Sequence, residues 1–225
     1  MKNLPPAPPP GRVGGRGGFF RLTVDLCVAT GMGAGGEENP VGDNYLTLTL
    51  DWAMSWGVWG PKAYCPTGTY AYGFNIKVES EGAVDDTSIN GIMLYCRAPG
   101  DVGHDGISPK VDAGEYTITS TVQRWGDWRG KRECFQGFLT GLKMKSEEYQ
   151  GIIEDDTAAN DLEMQCNWST ETLNGGGNHW GYWSDYADCP DGWVICGIET
   201  RVEAETATDD TALNDVRMFC CDTTS

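Results

Sequence analysis

Apolar and polar side chains alternate along several short stretches of the chain, as in Phe74, Ile76 and Val78 against Asn75, Lys77 and Glu79. A period of two is that of a half-buried β-strand. Related stretches open at Gly141 and Gly197, and each carries a basic residue and then an acidic one: Lys77 and Glu79, Lys145 and Glu147, Arg201 and Glu203. Each is followed by a closing stretch, "DDTSINGIMLYC" at 85–96, "DDTAANDLEMQC" at 155–166 and "DDTALNDVRMFC" at 209–220. In the first of these Ile92, Leu94 and Cys96 share a face, and "NYLTLTL" at 44–50 and "EYTITSTV" at 115–122 alternate in the same way. No segment keeps a helical period bounded by caps and stops. The pattern predicts an all-β chain of three related units.

A second block precedes each pair of strands: "WGVWGPKAYCPTG" from Trp56, "WGDWRGKRECFQG" from Trp125 and "WGYWSDYADCPDG" from Trp180. The units therefore span about 44–96, 115–166 and 170–221. A unit of about 50 residues with one apolar face cannot bury that face alone, so the three are expected to share a core within one domain, 44–225. The surplus "APGDVGHDGISPKVDAG" between units one and two reads as an inserted surface loop. Residues 1–43 are of another kind. Their "PPAPPPGRVGGRGG" is expected to be extended or disordered. In "FFRLTVDLCVATG" Arg21 and Asp25 interrupt the apolar run, so it lacks the hydrophobic core of a signal peptide. "GMGAGG" at 31–36 matches the glycine spacing of a dinucleotide-binding turn, but Pro40 stands where the helix should open and no βαβ pattern follows.

Eight of the nine cysteines follow the repeat. Cys65 and Cys96, Cys134 and Cys166, and Cys189 and Cys220 bracket equivalent stretches at almost equal separations, Cys196 and Cys221 are extra in unit three, and Cys27 stands alone. One disulfide per unit plus one more in unit three is the arithmetic of a secreted framework. Within unit three, 189 with 220 and 196 with 221 competes with the crossed alternative. Zinc fits poorly, because there is no Cys-x-x-Cys pair and the only histidines are His104 and His179. Asn167-Trp168-Ser169 matches an N-glycosylation acceptor.

The formal charge of −17 argues against a nucleic-acid partner, which needs concentrated Lys and Arg. No run reaches the roughly 18 apolar residues of a membrane span. The Asp-Asp-Thr triplets suit the entry to a strand from a turn, since their side chains accept hydrogen bonds from nearby amides. They lack the spaced oxygens and glycine of a calcium loop, so no metal site is assigned.

Three of these features carry a family likeness. "CPTGTYAYGFNIKVE" with "DDTSINGIMLYC", "DDTAANDLEMQC", and above all "CGIETRVEAETATDDTALNDVRMFCC", resemble the vitelline membrane outer layer protein I family over roughly residues 44–222. The resemblance implies a β-prism: three Greek-key sheets, each mostly from one repeat, around a pseudo-threefold axis. It also implies an eight-cysteine framework, onto which Cys65, Cys96, Cys134, Cys166, Cys189, Cys196, Cys220 and Cys221 fall. Such proteins are secreted, occur in egg coats and mucus, and associate with glycoproteins. The expected function is thus that of an extracellular, non-enzymatic protein contacting glycans or glycoproteins. The alternative is a lysozyme-like transferase acting on N-acetylglucosamine oligosaccharides.

The candidate glycan-binding residues are Trp56, Trp59, Trp125, Trp128, Trp180 and Trp183, because sugar rings stack on aromatic faces through their C–H surfaces. Aromatics also dominate cores, and recurrence at one place in every unit favours core packing over a sugar platform. Asn90, Asn160 and Asn214 have the same double reading, with backbone bonding preferred. For glycoside chemistry two carboxylates are needed about 5 to 10 Å apart, one of them holding its proton. Glu79, Glu147 and Glu203 recur beside Lys77, Lys145 and Arg201, and a neighbouring cation favours the charged form of an acid. No catalytic residue and no cofactor is assigned, and no nucleophile motif is present.

Overall fold

The computed structural model describes residues 44–51, 56–79, 88–100, 115–147, 159–170, 172–203 and 213–223. The extension 1–43 with Cys27, the three Asp-Asp-Thr triplets, His104 and most of the inserted loop lie outside the described residues. All the described residues fall within the compact unit Glu38–Ser225.

The alternating stretches repeated in every unit form long strands paired into hairpins, and those at 44–50 and 115–122 form short ones. β-Branched and long apolar residues occupy every second position, and the other positions carry polar groups that the sheet tolerates at its outer face. In chain order the strands are β1 (Tyr45–Leu48), β2 (Val58–Trp59), β3 (Ala63–Tyr64), β4 (Tyr70–Val78), β5 (Ile89–Arg97), β6 (Tyr116–Thr119), β7 (Asp127–Trp128) and β8 (Arg132–Glu133). They continue with β9 (Leu139–Ser146), β10 (Ala159–Cys166), β11 (Thr172–Asn174), β12 (Tyr182–Trp183), β13 (Ala187–Asp188), β14 (Trp193–Val202) and β15 (Leu213–Asp222).

These strands make three five-stranded antiparallel sheets. The first runs β6-β5-β4-β7 with β8 also on β4, and the second runs β11-β10-β9-β12 with β13 also on β9. Three consecutive strands with a fourth returning beside the first is a Greek key. The third sheet runs β1-β15-β14-β2 with β3 on β14, so its key is completed by the front of the described chain. The fold is a β-prism of three Greek keys with internal threefold likeness. Each sheet comes mostly from one repeat, as the resemblance implied. The two long strands of every sheet come from one repeat, but the three short strands come from the next, and those of the third sheet come from the first repeat.

The inward side chains of all three hairpins meet in one core. Phe74, Ile76, Val78, Ile92 and Leu94 of the first sheet are buried with Leu142, Met144, Leu162 and Met164 of the second and Ile198, Val202, Val216 and Met218 of the third. A second cluster of Tyr70, Tyr72, Phe138, Val194, Cys196, Phe219 and Cys221 lies apart from it. The pairs Cys65–Cys96, Cys134–Cys166 and Cys189–Cys220 join equivalent points of the three units, each with Cα atoms 5.8 Å apart. Cys196–Cys221 is the fourth bridge, which resolves the choice left open in unit three. Closing a loop of about 31 residues stabilises by roughly 3 to 4 kcal/mol on the chain-entropy model.

Candidate functional site

Each tryptophan block docks on the hairpin of the preceding unit. Trp59 pairs with Arg201, Trp128 with Lys77 and Trp183 with Lys145, all at the C-terminal ends of β14, β4 and β9. The bridges lie at the opposite ends of these strands, where Cys96 pairs with Ala71, Cys166 with Leu139 and Cys220 with Ile195. The prism therefore has a tryptophan end and a disulfide end.

The glycine of Trp-Gly-x-Trp is explained by local geometry. Gly57, Gly126 and Gly181 adopt φ of +77°, +78° and +78°, a left-handed conformation that L side chains resist. A Cβ would also lie 2.4 Å from the Val202 carbonyl carbon, 2.5 Å from that of Val78 and 2.1 Å from the Ser146 oxygen. Only glycine lets the block lie against the hairpin. The recurring basic residue then fastens it. Lys77 Nζ donates to the carbonyls of Gln123 and Arg124 at 2.8 and 2.7 Å, Lys145 Nζ to that of His179, and Arg201 Nε to that of Gly57 at 3.1 Å. Recurrence of a base at one offset was the available signal for these anchors. Their acceptors belong to another repeat, which the pattern within one unit does not reveal.

Neighbouring sheets are stitched together at this end. Gln123 Nε2 donates to Glu203 O at 2.6 Å, and Asn178 Nδ2 donates to Glu79 O and Ser88 Oγ at 3.4 and 3.1 Å. The backbone N–H groups of Gln123 and Asn178 donate to the carbonyls of Asn90 and Asn160. Asn90, Asn160 and Asn214 are themselves fully buried, and the Asn90 amide donates to Ser88 O. In the second sheet, Asp161 accepts the Gly177 and Leu162 N–H groups and the Asn174 amide, ordering the approach to Trp180.

On this frame the tryptophans do not behave as core residues. Trp56, Trp125, Trp128 and Trp180 are 48, 45, 36 and 44% exposed, Trp59 and Trp183 are half-buried, and none belongs to either buried cluster. The expectation of core packing is therefore corrected. The motif recurs because its glycine must lie against the hairpin, a requirement on backbone that lets the indoles face outwards.

In two of the three blocks the second tryptophan meets a charged pair on the outer face of its sheet. On the second sheet Lys143 and Glu163, cross-strand partners, form an ion pair of 2.9 Å, and Lys143 Nζ lies 4.8 Å from the centre of Trp183 and 4.9 Å from that of Tyr186. Burial raises the Glu163 carboxyl, but hydrogen bonds from Tyr186 and Lys143 outweigh it and hold the group below the usual range. On the third sheet the charges are exchanged: Arg217 pairs with Glu199 at 3.3 Å and stacks 3.8 Å from the centre of Trp59. The equivalent residues of the first sheet are Asn75 and Met93, also cross-strand partners.

Burial pushes the Asp215 carboxyl up to about 6, while the hydrogen bond from Val216 N and the charges of Arg217 and Arg201 pull the other way. Its cross-strand partner is Arg201. At the disulfide end, Asn167 accepts the Phe138 N–H on Oδ1 at 2.7 Å, and the next residue, Trp168, is 80% exposed with φ of +63°. Among the described residues no cluster of three or more His, Cys, Asp or Glu is placed to hold a metal ion, and no helix is long and apolar enough to cross a membrane.

The model of the family described as "Vitelline membrane outer layer protein I (VOMI)" matches residues 47–223. The chain belongs to this family. Among its relatives, the vitelline membrane outer layer protein 1 homolog of Homo sapiens is 35% identical over 171 residues, 74% of this chain and 78% of that one. The Mus musculus homolog is 34% identical over 172 residues, 74% of this chain and 79% of that one. Solved structures of similar architecture include a mannose-binding jacalin-related lectin from Ananas comosus, with a TM-score of 0.47 at 12% identity over 79% of this chain and 98% of the lectin. Another is artocarpin complexed with methyl-α-mannose, with a TM-score of 0.48 at 10% identity over 79% and 98%. Likeness at that level carries no information about a ligand of the present chain.

Proposed function

We propose that this member of the vitelline membrane outer layer protein I family is an extracellular, non-enzymatic protein of a coat or mucus, and that its tryptophan end contacts the sugar rings of glycans or glycoproteins. The observation that carries the reading is the exposure of Trp56, Trp125, Trp128 and Trp180 on backbone pinned by glycine contacts, cationic anchors and inter-sheet hydrogen bonds. Rings held in place lose little freedom when a sugar stacks on them, and preorganisation of this kind favours binding. Four disulfides and membership of this family support an extracellular setting.

The transferase alternative gains no support. Burial raises two carboxyls among the described residues: Asp215 faces the cations Arg201 and Arg217 with its Oδ1 occupied by the Val216 N–H, and Asp188 stands on β13 beside Gly141 of β9. The test is binding of the intact protein to arrayed neutral oligosaccharides, N-acetylglucosamine oligomers included, with chromatography of the same sugars after long incubation. Binding that weakens in W56A/W125A/W128A/W180A without new products supports the reading. Absence of binding to every glycan, or formation of longer or shorter oligomers, overturns it.

A further inference from the structure

The three tryptophan blocks occupy equivalent places, but their outer faces are not equivalent. On the second and third sheets a cation lies over the second tryptophan and is itself tied to a carboxylate: Lys143 with Glu163 at Trp183, and Arg217 with Glu199 at Trp59. The polarity of the pair is reversed between these two sheets while the stacked cation is retained. Lys145 and Arg201 add a second cation to each, 5.9 Å from the centres of Trp183 and Trp59.

The first sheet has neither element. Asn75 and Met93 stand where the ion pair would be, and Lys77, the cross-strand partner of Trp128, directs its ammonium to the carbonyls of Gln123 and Arg124. Among the described residues no cation lies over Trp128, and it is 36% exposed where Trp59 and Trp183 are half-buried. Trp125 of the same block carries the Arg124 guanidinium 4.3 Å from its centre, which leaves Trp128 as the uncovered ring of the pair.

We infer that glycan binding is concentrated at one of the three blocks, with Trp128 as the residue that stacks on an uncharged sugar ring, and that Trp59 and Trp183 serve as locks for their sheets. This inference rests on the glycan reading above. The physical reason is competition for the indole face. A sugar approaching Trp59 or Trp183 meets a ring whose quadrupole already attracts a partly buried, ion-paired cation. In the sheet of Trp128 the equivalent positions hold an amide and a thioether, both neutral, so among the described residues no such ion pair opposes the approach of an uncharged ring.

The test uses the full chain with its disulfides formed. Wild type, W128A, W59A and W183A are compared on a neutral glycan array, and the tightest array ligand is then titrated calorimetrically for affinity and stoichiometry. The expected results are one site per chain, a loss of about tenfold or more in W128A, and changes within about twofold in W59A and W183A. A fourth variant, K143N/E163M, removes the covering pair from the second sheet and is expected to raise the stoichiometry towards two. Near-ultraviolet circular dichroism of each variant confirms that the frame is intact. Three sites per chain, or equal losses in the three single variants, overturn the inference while leaving the glycan reading standing. If wild type binds no glycan, that reading fails and the inference with it.

Discussion

Gly126→Ala isolates the physical reason for the Trp-Gly-x-Trp block. Two costs act at this position. The first is conformational: a φ of +78° puts an alanine in the left-handed region, at about 1–2 kcal/mol. The second is steric, because the new Cβ would lie 2.5 Å from the Val78 carbonyl carbon and 2.6 Å from Glu79 N, both of them backbone atoms of the hairpin. Neither neighbour can rotate away, so β7 must move off β4, and overpacking of this kind costs about 1–3 kcal/mol. Together they amount to about 3 kcal/mol, equivalent to a fall in Tm of roughly 6–12 °C for a domain of this size. Gly68→Ala is the matched control. Its φ of +75° imposes the same conformational strain, but nothing lies within 4 Å of its Cβ, so its expected cost is only about 1–2 kcal/mol. The assay is reversible urea unfolding with disulfides intact, followed by tryptophan fluorescence and by far-ultraviolet dichroism. Equal destabilisation of the two variants, within about 0.5 kcal/mol, would refute close backbone approach as the reason that the block requires glycine.

Replacement of Lys77 by methionine removes two charge-assisted hydrogen bonds to the carbonyls of Gln123 and Arg124. It is expected to destabilise by about 2 kcal/mol and to increase acrylamide quenching of the Trp125 region, whereas unchanged quenching would show that the loop holds without its anchor. Removing both cysteines of the 134–166 bridge is expected to cost roughly 3 to 4 kcal/mol in the same unfolding assay, because it frees a loop of 32 residues in the unfolded chain. Asp215 predicts a pH dependence. Its carboxyl titrates at about 6 in the fold against an ordinary 3.8, so between these values the folded state binds the extra proton. The resulting stability is fully present below about pH 4 and is lost as pH rises through 6. In D215N the stability gained between pH 7 and pH 4.5 should be smaller than in wild type, and an unchanged gain would assign that pH dependence to other groups.

Much of the fold was legible because it is local. The alternation of Phe74, Ile76 and Val78 with polar neighbours defines a strand wherever it occurs, and its triplication with one cysteine pair per copy already requires three sheets around a shared core. What could not be read is which short strand joins which hairpin. A hydrogen bond from Trp128 to β4 or from Trp59 to β14 links different repeats, and pairing across repeats leaves no periodic trace within either one.

The same division holds for the candidate site. The sequence by itself determined that six tryptophans recur, that each pair encloses a glycine, and that a base recurs in every hairpin. Only the tertiary structure decided that most of these indoles face outwards, because a recurrent motif can satisfy a constraint on backbone as readily as one on the core. It also decided that Trp128 differs from Trp59 and Trp183. That difference depends on Asn75 and Met93 standing across two adjacent strands where the other sheets place opposite charges, and burial and cross-strand contact are properties of folded neighbours rather than of residues in order.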